Sequence, residues 1–413
     1  MLINVIIIIY FILSIYFTIK YKFIQLKSPI KAFKVMKKDK NKSAYRTFMV
    51  ALASHIGTGN VVGITSALII GGKGSLFWMW VNALFMSIFS LIENTLGQVY
   101  KERIDDEYRG GSAYYISKGL NKKWLGIIIS IFLVLANTIF FQPLQVNTIS
   151  ESIYLTTGIS KYLIFILLSL FAIFVIFKGT KSIIKFSEII VPIMSLSYIT
   201  IGIIIAIFNI RLFPNMIGEI IEDAFSYESI LGGVIFVGMK KSLFSHEAGL
   251  GTMPTISAMS NTEKPSDQGF ISCFGVFIDT IIICSITGFM ILLYDINLDS
   301  YTGVDLIIYI FEIIFGSFGK YLAVFFMISF ALATVVSQFY LGESNLLFIT
   351  KNKVSRFLYK CLFLLGILLG VFLNNDSIWT MIDTGLVLLG AVNIYSIFKL
   401  HKSISISNGN NYI

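Results

Sequence analysis

The sequence predicts an all-α polytopic membrane protein with eleven transmembrane helices. Of its 413 residues, 56% are hydrophobic and only 13% are charged, and the mean hydropathy is +0.82. A soluble domain carries about 25% charged residues, so much of this chain's surface must face something other than water. Apolar runs of spanning length recur along the whole chain, and the basic residues cluster between alternate runs.

The apolar runs define the predicted spans, because a helix that crosses a bilayer needs about 20 mostly apolar residues. The first run lacks a basic leading region and a small-residue cleavage site, which predicts an anchor rather than a signal peptide. No soluble domain of any size fits between the runs. The approximate spans are residues 2–19, 44–71, 75–100, 124–153, 159–177, 180–208, 229–257, 268–294, 319–349, 355–373 and 377–398.

Lysine and arginine predict the orientation, since short loops rich in these residues stay in the cytoplasm. Residues 20–46 carry ten of them, and placing that stretch inside puts the N-terminus outside and the C-terminus in the cytoplasm. Alternation of the spans then assigns twenty-six of the 32 basic residues to the inside and only four to outside loops. We therefore expect a multi-pass protein of the cell membrane, surrounded by lipid.

Polar, glycine-rich stretches interrupt the second and seventh spans. They read Ser-His-Ile-Gly-Thr-Gly-Asn at 54–60 and Ser-His-Glu-Ala-Gly-Leu-Gly-Thr at 245–252. Glycine favours non-helical backbone, and each unsatisfied amide in lipid costs several kcal/mol. Such breaks persist where a bound anion meets a half-helix N-terminus or a bound cation meets freed carbonyls. The alternative is that these glycines are close-packing faces between helices.

The spacing of the breaks predicts the domain organisation. They lie five spans apart, so two sets of five helices enter the membrane from opposite sides, which is the layout of an inverted repeat. Outside segments 214–227 and 304–315 are amphipathic and predict interfacial or capping helices. The predicted units are 1–43 (N-terminal helix and basic cytoplasmic segment), 44–208 (first repeat), 209–228 (extracellular amphipathic connector), 229–398 (second repeat) and 399–413 (cytoplasmic tail).

Cysteine, histidine and net charge argue against several other classes of site. The three cysteines lie in apolar segments without a C-x-x-C pattern, which predicts neither a disulfide framework nor a zinc site. The three histidines form no metal cluster, so we expect no transition metal and no cofactor. The net charge of +9 reflects basic residues on one side of a membrane, and nucleic acid is not expected as a partner.

Several motifs occur in a specific order along the chain. They are Gly-Thr-Gly-Asn-Val-Val-Gly at 57–63, Gly-Gly-Ser-Ala-Tyr-Tyr-Ile at 110–116, Gln-Val-Asn at 145–147 and Phe-Ser-His-Glu-Ala-Gly-Leu-Gly at 244–251. With these motifs the chain, from about residue 44 to 398, resembles the alanine or glycine:cation symporter family, which has the leucine-transporter fold. It departs from the family pattern where His246 replaces an asparagine and Ala333 replaces a serine or threonine. These departures bear on the substrate and on the cation, not on the fold.

The resemblance places a small amino-acid substrate at the breaks, and the chemistry of a half-helix N-terminus agrees. Backbone amides of Thr58 and Gly59 would bind the substrate carboxylate, and the His55 carbonyl would accept from its amine. Gln145 of the fourth span faces either this pocket or a neighbouring helix, where a hydrogen bond is worth about 0.6 kcal/mol. The predicted substrate set is His55, Gly57, Thr58, Gly59, Gln145, Ser245 and Gly249.

The resemblance also implies a sodium site, and hard cations prefer oxygen ligands. The predicted ligands are the Thr334 hydroxyl and the carbonyls of Ala53, Ile56 and Phe330. Alternatively, the Thr334 hydroxyl bonds back to its own helix, which is common for threonine in membranes. Because Ala333 removes one expected oxygen, we predict a weak site.

Two acidic residues lie deep in predicted spans, where charge is costly and usually functional or paired. Asp279, with Asn60 and Thr280, predicts a second cation site or a hydrogen-bond network. Glu247 belongs to the same prediction, but it also has structural alternatives. It could neutralise the lysines at 240–241 or accept amides of its own broken helix.

The predicted function is sodium-coupled symport of alanine, glycine or a similar small amino acid by alternating access. The alternatives are coupling to protons, with His55 and His246 among the candidate carriers, a different small substrate, or a sensor that binds amino acid without transport. We do not expect an enzyme, because the acids and histidines form no recognisable pairing of nucleophile and base.

Overall fold

The computed structural model describes residues 2–104, 107–294, 296–301, 303–405, 407–408 and 411–412. Residue 1 of the predicted N-terminal unit and residues 406, 409–410 and 413 of the predicted tail lie outside the described residues. The described chain is mostly helical, as predicted, and its strands form only two short antiparallel hairpins.

Twenty α-helices make up the described chain, and local capping fixes several of their ends. Ser160, Asn352 and Asn374 each accept a hydrogen bond from a first-turn amide, which satisfies a donor that the helix leaves free. The helices are α1 Leu2–Lys20, α2 Ser28–Lys38, α3 Ser43–His55, α4 Val62–Gly71, α5 Gly74–Val99, α6 Ser112–Gly119, α7 Lys123–Leu135, α8 Gln142–Thr157, α9 Lys161–Phe174, α10 Thr180–Phe208, α11 Phe213–Phe225, α12 Tyr227–Leu231, α13 Val234–His246, α14 Met253–Ser257, α15 Pro265–Val276, α16 Ser285–Leu292, α17 Gly303–Phe315, α18 Ser317–Ile349, α19 Lys353–Phe372 and α20 Asn375–Leu400.

Shorter elements connect these helices. The 3₁₀ turns are Ile24–Lys27, Thr58–Asn60, Ile176–Lys178, Leu298–Ser300 and His401–Ser403, and the π-helical segments are Ala136–Phe140 and Phe277–Cys284. The strands are β1 Glu102–Ile104, β2 Glu107–Arg109, β3 Ser407–Asn408 and β4 Asn411–Tyr412. Strand β1 pairs with β2, and β3 pairs with β4.

Nine helical stretches of the described chain are long and apolar enough to cross a membrane. A tenth is the pair Ser43–His55 and Thr58–Gly71, which is bent by 55°. These ten correspond to ten of the predicted spans. The remaining one, residues 229–257, consists of the short helices α13 and α14, because the residues between them leave the helical conformation. The count of eleven and the inverted repeat therefore stay predictions.

Helix α5 is central to the packing and contacts α13, α14 and α15, which belong to the predicted second repeat. Small residues allow this approach, since a Cβ atom on Gly97 would lie 2.8 Å from the Pro254 carbonyl oxygen. On its other side, Phe89 packs edge-on against Tyr10 and Phe17 of α1, with ring centroids 5.5 Å and 5.9 Å away. Helix α1 is thus packed against the core although it lies outside the predicted repeats.

Two features of the connections bear on the site. Helices α11 and α17 cover most of segments 214–227 and 304–315, which were predicted to be amphipathic helices. The eighth predicted span contains the π-helical segment Phe277–Cys284, and π turns inside helices frequently occur at functional sites. That segment carries Asp279 and Thr280 into the interior.

Candidate functional site

The first break lies between α3 and α4 and is held by local hydrogen bonds. The Gly57 amide donates to the His55 carbonyl and to Asn60 Oδ1, both at 3.0 Å. A Cβ atom at Gly57 would collide with the Thr334 hydroxyl, and one at Gly59 would lie 3.1 Å from Ser245 Cα. The glycines therefore let the first break approach α18 on one side and the second break on the other.

A side chain from α8 reaches the first break. The Thr58 amide donates to Gln145 Oε1 at 3.0 Å, and Gln145 is almost completely buried. The neighbouring Thr58 hydroxyl is buried and has no hydrogen-bond partner among the described residues. The Gln145 oxygen therefore accepts the hydrogen bond of the amide that the sequence predicts to bind a substrate carboxylate. The Thr58 hydroxyl next to that amide remains unsatisfied.

The predicted cation ligands converge at Thr334 of α18. Its Oγ1 lies 3.0 Å from the Ala53 carbonyl oxygen, 3.1 Å from that of Phe330 and 3.5 Å from that of Ile56. A hydroxyl has one proton to donate, so these three acceptors cannot all be satisfied by it. Because these oxygen atoms outnumber the protons that could bond them, the cluster fits a hard cation such as sodium.

A buried carboxylate links the two breaks. Asn60 donates to Asp279 Oδ1 at 2.6 Å, and the hydroxyls of Ser245 and Thr280 donate to Oδ2 at 2.9 Å and 2.8 Å. Ser245 belongs to the second break, in the last turn of α13, whereas Asn60 belongs to the first. Three donors to one carboxylate make this arrangement a satisfied network that ties both breaks to the π-helical segment.

The second break has its own acceptor, Glu93 of α5. Its two carboxyl oxygens accept the amides of Gly249 at 2.9 Å and Gly251 at 3.0 Å. Asn393 of α20 donates to the same carboxyl at 2.8 Å and to the Gly249 carbonyl at 2.6 Å, and Tyr10 of α1 donates to that carbonyl at 2.7 Å. Glu93, Asn393 and Tyr10 together replace the hydrogen bonds that the interrupted helix loses.

Glu93 supports the second break, a role that was not predicted from the sequence. The signal was available, because an acid inside an apolar span is costly and usually paired or functional. The amide and the carbonyl of Gly249 are both engaged within the protein, as the Thr58 amide is by Gln145, and Gly249 stays a member of the predicted substrate set. The other six members lie in or next to the first break and the residues packed on it.

Glu247 stands apart from the Asp279 network. It caps α13 in a left-handed conformation with φ of 51°, and it makes no hydrogen bond to Asp279 among the described residues. Neither neighbouring lysine neutralises it: Lys240 pairs with Asp383 at 3.0 Å, and the Lys241 ammonium lies 2.9 Å from the centroid of the Trp379 ring. The lysine alternative for Glu247 is therefore wrong in this structure.

The comparisons agree with this arrangement of helices. A family model described as the sodium:alanine symporter family matches residues 1–412. The amino-acid carrier protein AlsT of Bacillus subtilis (strain 168) is 35% identical over 94% of this chain and 85% of its own. The probable sodium/glutamine symporter GlnT of the same organism is 32% identical over 95% and 84%. The crystal structure of MhsT in complex with L-phenylalanine matches with a TM-score of 0.61 at 15% identity, covering 86% of this chain and 87% of that one, which shows a shared leucine-transporter fold.

Proposed function

The chain belongs to the sodium:alanine symporter family, and on that premise we propose that it couples the import of a small neutral amino acid, alanine or glycine, to sodium by alternating access. It is a multi-pass membrane protein whose relatives are amino-acid carriers. The proposal places the N-terminus outside the cell membrane, and a reporter fused within residues 20–46 should be found in the cytoplasm. A reporter found outside would contradict that orientation.

The first break supports the substrate part of the proposal. A substrate carboxylate would take the place of the Gln145 oxygen at the Thr58 amide, close to the N-terminal end of α4, where a negative charge is favoured. The approach of Gly57 to Thr334 and of Gly59 to Ser245 leaves little room there, which favours a small side chain on the ligand. GlnT is named for glutamine, so a larger neutral substrate is the competing choice.

The Thr334 cluster is the single observation that carries the sodium part. Two of its carbonyls come from the same region of the chain as the Thr58 amide: that of Ala53 lies in the last turn of α3, and that of Ile56 lies in the first break. A cation bound there and a substrate bound at Thr58 would stabilise the same closed arrangement of α3, α4 and α18. Each would then raise the affinity for the other by the same factor.

Proton coupling is the second candidate, because three carboxyl groups are buried beside the breaks: Glu93, Glu247 and Asp279. Intramembrane acids commonly form proton relays in transporters. Two of the three are engaged by several donors each, whereas Glu247 Oε2 is buried outside those networks. Glu247 is accordingly the acid that a proton-coupled mechanism would use.

Uptake into proteoliposomes distinguishes these readings. We expect labelled alanine or glycine to accumulate with an inward sodium gradient and not with an equal potassium gradient. Accumulation driven only by a pH gradient would show that protons, not sodium, are the coupling ion. Accumulation of D-alanine would show that the transporter does not distinguish strictly between enantiomers. Saturable binding without accumulation under any gradient would instead identify a sensor.

A further inference from the structure

Helix α2 joins α1 and α3 on the side of the membrane that the basic residues predict to be cytoplasmic. Residues 20–46 contain ten lysines and arginines and a single acid, Asp39. The Asp39 carboxylate accepts the amides of Asn41 at 3.1 Å and Ala44 at 2.5 Å, so it is committed to the start of α3. The segment therefore presents a strongly positive surface next to two adjoining membrane spans.

One face of this segment is buried and another exposes an apolar row. Ile24, Gln25, Ser28 and Ala32 are almost completely buried against the bundle. An apolar row on the exposed side remains between 48% and 63% accessible. Its first two members precede α2, and its last two lie three residues apart on one face of α2. The apolar row consists of Phe23, Leu26, Ile30 and Phe33.

A row of four lysines runs beside the apolar row. Lys27, Lys31 and Lys34 each follow a member of the apolar row directly in the sequence, and Lys38 follows Lys37. Lys27, Lys34 and Lys38 are exposed, and Lys31 extends over the Phe270 ring with its ammonium 4.0 Å from the centroid. Burial and the nearby charge of Lys27 lower the pKa of Lys31, while Asp267 opposes that shift. An amphipathic helix with this pairing of apolar and basic rows is typical of one lying in the membrane interface.

A cleft opens between α2 and the loop that precedes α15. Its volume is about 570 Å³, which lies within the range of small-molecule sites. Its polar lining comprises Lys34, Lys38, Lys40, Asn41, Asn261, Thr262 and Lys264, together with the acids Asp39, Glu263 and Asp267. Lysines outnumber acids in this lining, and Asp39 is already engaged by backbone amides.

We propose that α2 and this cleft bind the headgroup of an anionic phospholipid. The lysine row and the cleft would hold the phosphate, whose negative charge no headgroup ammonium neutralises, while the apolar row would enter the adjoining acyl chains. Charge complementarity and direct continuity with α1 select lipid as the occupant of this surface. The inference does not depend on the transported substrate, because it concerns a separate surface.

Lipid retention by the full-length chain tests this proposal. The protein is purified from mixed micelles that contain equal phosphatidylglycerol and phosphatidylcholine, and bound lipids are counted by native mass spectrometry. The test variant is K27Q/K34Q/K38Q, and the matched control is K178Q/K181Q/K185Q, which removes the same number of exposed lysines from the same predicted side. A third variant, K27R/K34R/K38R, keeps the positive charge.

We expect the unmodified chain, the control and the arginine variant to prefer phosphatidylglycerol. In the glutamine variant K27Q/K34Q/K38Q, the preference for phosphatidylglycerol over phosphatidylcholine should fall at least about tenfold, because each basic residue near an anionic surface raises the affinity for it roughly fivefold. An unchanged preference in that variant would overturn the proposal, and so would an equal loss in the control, which would show only a general effect of charge. If the triple variant fails to fold, K34Q and K38Q measured singly give the same comparison with about fivefold losses.

Discussion

The two breaks have similar sequences but are stabilised in different ways. Both read Ser-His followed by a glycine-rich turn that contains threonine. The second break has its amides and a carbonyl engaged by Glu93, Asn393 and Tyr10. The first break relies on neutral oxygens from Gln145 and Asn60.

This difference separates a structural break from a binding break. Non-helical backbone at membrane depth is tolerated only where its polar groups are satisfied or line a cavity. The Glu93 carboxyl already accepts the Gly249 and Gly251 amides of the second break, so a ligand carboxylate would not find these two donors free. The first break keeps a neutral acceptor that a ligand carboxylate can replace. We therefore propose that ligands bind at the first break and that the second break supports the pocket.

The largest effect is expected from Glu93→Leu, which removes the acceptor of the second break. Two buried amides would lose hydrogen bonds to a carboxyl, at about 1.5–3 kcal/mol each, so the free energy of unfolding should fall by about 3–6 kcal/mol. Unfolding in mixed detergent micelles measures this loss. Glu93→Gln keeps one acceptor oxygen and should lose less.

The control for that variant is Glu188→Gln at the surface of α10. Glu188 pairs with Arg46 at 2.9 Å in an exposed position, where an ion pair contributes about 0–1 kcal/mol. If Glu93→Leu were no more destabilising than Glu188→Gln, the second break would not depend on its carboxyl acceptor.

Gly59→Leu should abolish substrate binding while the protein remains inserted and folded. Its side chain would intrude where the first break meets Ser245 and where the ligand must approach the backbone. Gly218→Leu is the matched control, because Gly218 is exposed on α11 and a Cβ atom there meets nothing within 4 Å. Equilibrium binding of labelled alanine measures the affinity of both variants. Normal affinity in Gly59→Leu would show that the first break serves helix packing and not substrate binding.

Tyr10→Phe should have the smallest effect. It removes one hydrogen bond to the Gly249 carbonyl, but Asn393 continues to donate to that oxygen. We expect a loss of about 1 kcal/mol in the free energy of unfolding and unchanged sodium dependence of binding. Tyr16→Phe, at an exposed position of the same helix, should have no measurable effect. A change in sodium dependence in Tyr10→Phe would mean that the second break takes part in coupling.

The sequence predicted features that depend on local composition. Apolar length located ten of the spans, and glycine and polar residues located both breaks. The polar stretch at 245–252 also predicted where 229–257 is interrupted, since α13 ends at His246 and α14 begins at Met253. The sequence did not assign partners, however: Glu93 meets Gly249 across 156 positions of the chain, and such pairings depend on the packing of the whole bundle.

The binding of alanine at different sodium concentrations, in the unmodified chain and in Thr334→Ala, tests the central claim most directly. In the unmodified chain, sodium should raise alanine affinity by a factor in the usual range of about 5–150. Thr334→Ala should need more sodium for the same affinity, and excess sodium should partly restore it. Ser337→Ala, which removes a hydroxyl one turn along α18 that bonds to the Thr334 carbonyl, should behave like the unmodified chain. Alanine affinity that is indifferent to sodium in the unmodified chain, with uptake driven by a pH gradient, would contradict the account.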